Sequence, residues 1–210
     1  MTQNSAEKPK TRIQREKTEQ ILTAALQVFS SYGFRGSTID QIASEAGLSK
    51  PNILYYFDGK SAIHAHLLER LLDTWLDPLR ALDEAGDPVT EILGYVIRKL
   101  EMARDYPRES RLFANEILQG APRIIDQISG PLKALVDEKA TVIQHWSDAG
   151  KIAPVDPYHL IFSIWSTTQH YADFDTQVST ILGARDKTRF EDAAKHLEQM
   201  FLGLLHPSRG

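Results

Sequence analysis

Residues 37–60 read STIDQIASEAGLSKPNILYYFDGK and gather groups suited to holding a polyanion. Lys50 and Lys60 can meet phosphates, contacts that position a helix on a duplex without reading its sequence. Tyr55 and Tyr56 stand side by side. Their hydroxyls can bond phosphate oxygens, and their rings can press on base methyl groups. Asn52 shares their face of the helix. Thr38 and Ser49 fall at helix starts, where free backbone amides suit a phosphate. Paired tyrosines alone are more often core or interface aromatics; the lysines and a basic N-terminal arm favour DNA contact. Catalysis finds no such gathering. His64 and His66 are two apart and diverge on a helix. Asp156 and His159 have the spacing of one helical face, but at a helix start. The paired Glu-x-x-His of di-iron bundles is missing. No catalytic residue and no metal ligand is expected.

The elements that carry these groups must be helices. No run alternates apolar and polar residues over strand length. Ile21, Leu22, Ala25, Val28 and Phe29 mark the buried face of a first helix, from about Arg15 to a stop at Gly33. Thr38 with Gln41 three residues on is the capping-box pattern. Gly47 ends that helix, and Ser49 caps the next, to about Phe57. Ile53, Leu54 and Phe57 would pack on Ile39, Ile42 and Ala43. Two helices this short, joined on a glycine, read as a helix-turn-helix. Asp58 then caps a long helix through Leu82. Further helices are expected over 88–105, 107–120, 122–149 with a break at Gly130-Pro131, 157–182 and 186–205. The fold class is all-α, with about nine helices. Residues 1–14 are expected to be a disordered basic arm, 15–57 the helix-turn-helix domain and 58–210 a larger helical domain.

Charge follows the same division. Residues 1–60 carry a net +2 and the remainder −6. A basic arm on an acidic body suits an anionic partner at one end only. With 42% hydrophobic and 25% charged residues the composition is that of a soluble globular protein. No apolar run approaches the roughly 20 residues of a membrane span, so no membrane partner is expected. Residues 1–20 lack the apolar stretch of a secretory leader. The absence of cysteine rules out disulfides and thiolate metal sites and fits a cytoplasmic protein.

The stretch FSSYGFRGSTIDQIASEAGLSKPNILYYFDGK resembles the DNA-binding region of the TetR family of transcriptional repressors. Gly33, Gly36, Gly47 and the Tyr56-Phe57 pair before Lys60 sit where that family has them. Pro51 departs from the small residue common there, in a first helical turn that tolerates proline. The resemblance implies a homodimer on a palindromic double-stranded DNA operator, with three N-terminal helices for DNA and a larger C-terminal domain for a ligand. It also implies that the fourth helix is the lever between them. ARDYPRESRLF, LKALVDEK and GKIAPVDPYHLIFSIWSTTQHYADF resemble the pyrimidine-utilisation regulators of that family. This implies a small-molecule effector, uracil or thymine, no cofactor, and control of pyrimidine degradation genes.

A flat ligand with a polar edge needs an aromatic plane and a few convergent polar groups. Trp165 and Gln169, four apart, stand one above the other on a helix. Gln169 can meet an imide edge with two hydrogen bonds while Trp165 covers its face. Phe162, Tyr158 and Asp173 lie on the same side, and His170 points about 100° away. Trp75, Leu76 and Pro78 from the fourth helix can close the site. Arg111, Phe113 and Glu116 are further candidates, whereas Lys99 reads as a solvated lysine. A tryptophan on an apolar helix is more often core packing, and the pocket reading leans on the resemblance. The family's dimer bundle implies a second face of Leu160, Ser163, Thr167, His170 and Phe174, with Phe190, Leu197, Phe201 and Leu204 from the last helix. The rival readings are a TetR-type regulator for a drug or lipid, a helical interaction module and, least favoured, a helical enzyme.

Overall fold

The structure is a computed structural model that describes residues 12–206. Every regular element among them is helical: α1 (Arg12–Gly36), α2 (Ile39–Ala46), α3 (Lys50–Tyr56), α4 (Lys60–Arg80), α5 (Pro88–Asp105), α6 (Pro107–Leu118), α7 (Ile125–Gln127), α8 (Lys133–Asp148), α9 (Pro157–Asp173), α10 (Asp175–Leu182) and α11 (Arg189–Leu205). A π turn over Ile128–Leu132 fuses α7 to α8, and only Phe174 separates α9 from α10, so the segments group into nine helices. The chain divides into two compact units, residues 1–67 and 68–210.

In the first unit, Ile21, Ala25, Phe29, Ile42, Ile53 and Ile63 are fully buried. The capping box forms as read: Thr38 Oγ1 accepts from the Gln41 amide, and Gln41 Oε1 accepts from the Thr38 amide. Gly47 is left-handed at φ 62, which lets its amide and that of Leu48 close onto carbonyls of α2. Gln20 Nε2 donates to the Ala46 carbonyl and ties α1 to the end of α2. Four details differ from expectation. Helix α1 starts at Arg12, where Arg12 pairs with Glu16 one turn on; the rest of the expected arm, residues 1–11, lies outside the described residues. Leu54 is 46% exposed, because it sits a third of a turn round from the buried Ile53. Asp58 does not cap α4: Gly59, at φ 107, holds that position, and its carbonyl accepts from Ile63. The first unit also extends past Phe57, because Ile63 and His64 from the start of α4 are buried, His64 between the rings of Phe29 and Phe34.

The second unit has its own core, including Leu79, Ile92, Val96, Ile161 and Leu205, all 0% exposed. The Asp87-Pro88 and Asp156-Pro157 starts form as expected, each aspartate accepting from the amide three residues on. The wide π turn falls at Gly130-Pro131, where the proline removes a helical donor. Helix α9 breaks at Phe174 rather than running on to Leu182. Arg111 takes the Ala172 carbonyl, and Ser110 takes the Asp173 carboxylate, so the last turn is drawn towards α6. Helix α11 starts at Arg189, after a 3₁₀ turn over Gly183–Thr188. Leu160, Leu197 and Phe201 are buried in this unit's own core and are not available to a partner. Phe190 is half-buried against that core, while Leu204, His170 and Phe174 remain exposed.

Candidate DNA-reading face and effector seam

Helix α3 presents Asn52 and Tyr55 outward, with Tyr55 73% exposed and its ring edge-on to Tyr56 at 5.0 Å. The seven-residue helix owes this to one anchor, Ile53, and to the Ser49 cap, whose hydroxyl accepts from the Asn52 amide. Asn52, Tyr55 and Tyr56 line a shallow hollow with Leu48 and with Lys17 of α1. Lys17 was not among the expected DNA contacts; the fold of α1 brings it there. Lys50 pairs with Asp40 at 2.9 Å, an exposed contact that a phosphate can displace. Thr38 is committed to its cap. Lys60 departs most from expectation. Its Nζ donates to the Phe34 and Ser37 carbonyls, at 2.7 and 2.6 Å, and lies over the Phe34 ring. It ties the start of α4 to the turn before α2 and is withdrawn as a phosphate contact.

The second site is a seam between α5 and α9, and helical spacing builds it. Trp165, Gln169 and Asp173 rise along α9 at steps of four, and Tyr95 and Lys99 do the same on α5. The first rung is a bond from Trp165 Nε1 to the Tyr95 hydroxyl, at 2.6 Å. At the far rung Asp173 and Lys99 act on one another electrostatically. Gln169 stands between them, half-buried. Trp75 of α4 closes the seam, with Lys99 Nζ 5.0 Å from its ring centroid and the Tyr106 ring at its edge. From α6, Ser110 donates to Asp173, and Arg111 lies alongside.

Burial sets the electrostatics. Lys99 is 2% exposed, and desolvation pulls its pKa down to about 7, against the pull of Asp173. Burial raises the Asp173 pKa, opposed by the Ser110 bond and by Arg111, His170 and Lys99. Burial pushes the Tyr95 phenol well up, so it stays neutral. The Trp75 indole N–H is buried with no acceptor among the described residues. An open cleft along α10 meets the seam only at Arg111 and Asp173.

The structure therefore brings together Trp165, Asp173, Trp75 and Arg111, with Gln169 on the same ladder. It does not bring in Glu116, which is 1% exposed and bound to the Arg123 guanidinium and backbone amide, both within 2.9 Å. That carboxylate holds the turn after α6, where Ala121 adopts φ 53. Leu76 is core, Phe113 packs half-buried against the core, and Pro78 is half-buried inside α4. Tyr158 bonds Asp137 instead of facing the seam. Lys99 is the residue the sequence reading missed. Its position four after Tyr95 on an apolar face was the available signal. His170 stacks on Phe174, rings 4.9 Å apart, away from Gln169 as the wheel requires.

A helix-turn-helix unit followed by a helical unit with a polar seam defines a class of ligand-responsive DNA-binding regulators. The chain belongs to the TetR family of transcriptional regulators: the pattern described as "Bacterial regulatory proteins, tetR family" matches residues 21–67, and that of "YcdC-like protein, C-terminal region" matches 68–208. It is 47% identical over 193 residues to the HTH-type transcriptional regulator RutR of Escherichia coli (strain K12), covering 91% of each chain. It is 29% identical over 153 residues to the HTH-type transcriptional regulator HbdR of Aromatoleum sp. (strain CIB), covering 71% of this chain and 66% of that one. Among solved structures, the SCO4942 protein of Streptomyces coelicolor shares the fold with a TM-score of 0.69 at 23% identity, covering 88% of this chain and 97% of that one. AibR, solved with isovaleryl coenzyme A and operator DNA, shares it with a TM-score of 0.70 at 17% identity and the same coverage. No described helix is long and apolar enough to cross a membrane.

Proposed function

We propose that this regulator senses a pyrimidine, uracil with thymine as its close analogue, and controls pyrimidine catabolism genes. The observation that carries the proposal is the seam itself. Trp165 and the half-buried Gln169 lie four apart on one helix, Trp165 is bonded to Tyr95 of α5, and two buried donors, Lys99 and the Trp75 N–H, sit together where Lys99 meets the Trp75 ring. An imide edge offers the donors and acceptors that such a set can satisfy. The likeness of the C-terminal stretches to pyrimidine-utilisation regulators supports the same ligand. A lipid or drug would favour a wider apolar site. We read the chain as non-catalytic, on the strength of family membership.

In this reading residues 15–57 carry the DNA-binding surface and 58–210 the effector and dimer surfaces. Thr38, Ser49, Lys50, Asn52, Tyr55 and Tyr56 face DNA, joined by Lys17. The dimer places two α3 helices about 34–36 Å apart, or a multiple, on a palindromic operator. The exposed stripe of α11, His196, Met200, Gly203 and Leu204, with His170 and Phe174, supports a partner surface.

A thermal-shift panel of nucleobases tests the effector. Uracil at 100 times its Kd should stabilise the protein by about 2.7 kcal/mol. If uracil and thymine leave the melting temperature unchanged and another metabolite raises it, the effector is misassigned. For the DNA face, Tyr55→Ala should weaken operator binding about 10- to 100-fold. Its melting temperature should stay put, because Tyr55 is 73% exposed. Unchanged affinity in a mobility-shift titration would remove Tyr55 from the interface.

A further inference from the structure

We propose that the effector seam binds its ligand together with a proton, so that effector affinity is full below neutral pH and declines above it. This rests on the reading that the seam is the effector site.

The geometry is that of donors waiting for an acceptor. Lys99 is 2% exposed, and its Nζ rests on the Trp75 ring; among the described residues no carboxylate is paired with it. The Trp75 N–H beside it also lacks an acceptor among the described residues. A buried ammonium without an acceptor is costly, and shedding its proton removes that cost. The amine in the free protein accordingly titrates at about 7. A ligand carbonyl oxygen reaching Nζ supplies the missing acceptor and favours the charged form. Binding then raises the pKa of Lys99, and by linkage the proton strengthens binding equally. The gain is fully present below the free-state value and is lost as pH rises from there towards the bound-state value.

Lys99 is the buried amine of the seam, and the groups around it are these. Asp173 from α9 is the charged group whose field reaches Lys99, and it opposes desolvation. Arg111 from α6 and His170 from α9 act on Asp173. Tyr95 of the same helix is neutral, and α4 contributes the uncharged Trp75. The charges of Glu101, Arg104, Lys187 and Glu191 lie along a separate open groove between α5 and α11.

Calorimetry of uracil binding to the full chain, in two buffers of different ionisation enthalpy, counts the protons taken up. The range runs from pH 6 to 8.5, below ionisation of the ligand's own imide. Uptake should be about half a proton at pH 7, fall towards none at pH 6 and approach one at pH 8.5, with Kd rising about tenfold per pH unit above 7. Lys99→Met should bind more weakly at pH 6 and show no uptake. Uracil binding by the unaltered protein with no proton uptake and a flat Kd overturns the proposal and leaves the effector reading standing. Failure of uracil to bind at any pH overturns both.

Discussion

Replacing Gln169 by leucine should abolish the uracil response while leaving operator affinity unchanged. Gln169 is half-buried on α9, four residues after Trp165, which bonds Tyr95, and four before Asp173, which acts on Lys99. Leucine is of similar bulk and removes both hydrogen bonds to an imide edge. The ligand is then left with two unsatisfied polar groups, each costing about 1–3 kcal/mol, and affinity falls on the order of 100-fold or more. A half-exposed site outside the core should change stability by no more than about 0.5 kcal/mol. The measurements are the uracil-induced rise in melting temperature and operator titration without ligand. Equal weakening of both would make Gln169 a structural residue and remove it from the effector site.

Glu116→Ala should produce the largest loss of stability of any single change discussed. The glutamate is 1% exposed, and it holds both the Arg123 guanidinium and the Arg123 amide. Its removal takes the carboxylate away from a partly buried guanidinium and from a backbone N–H beneath the turn at Ala121, whose backbone is in the left-handed region. Breaking such a pair costs about 3 kcal/mol or more. For a chain of this length that is a fall of about 10 °C in melting temperature. Operator binding and the uracil response should persist below the new transition. A normal melting temperature with a lost uracil response would restore Glu116 to the effector site, where the sequence reading had placed it.

The two variants contrast a position set by neighbours on one helix with a position set by a distant partner. Glu116 and Gln169 looked alike in the sequence: polar residues on otherwise apolar helix faces. Gln169 shares its side of α9 with Trp165 and Asp173 because both are four residues away on the same helix. Glu116 lost its place because Arg123 lies across a turn, and nothing local announces that turn's path. Lys99 and Lys60 err in opposite directions for the same reason. Lys99 was read as solvated and is covered by Trp75 from another helix. Lys60 was read as a phosphate contact and reaches back to carbonyls at Phe34 and Ser37. A long flexible side chain goes where the nearest buried acceptor or ring lies, and that is a property of the packed fold.

What the sequence by itself determined was local. The capping box at Thr38, the glycine turn at Gly47, the Asp-Pro starts of α5 and α9 and the break at Gly130-Pro131 all arise within a few residues of chain. Their chemistry needs no distant partner. Family membership follows from the same local pattern in residues 30–60, where turn geometry demands particular residues. Tertiary structure alone decided which polar groups are buried and with what. It put Leu197 and Phe201 inward, ended α9 at Phe174 by drawing its last turn onto α6, and buried Lys99 and the Trp75 N–H without an acceptor among the described residues. Desolvation is a sum over every element that packs around a group, so no stretch of one helix can state it.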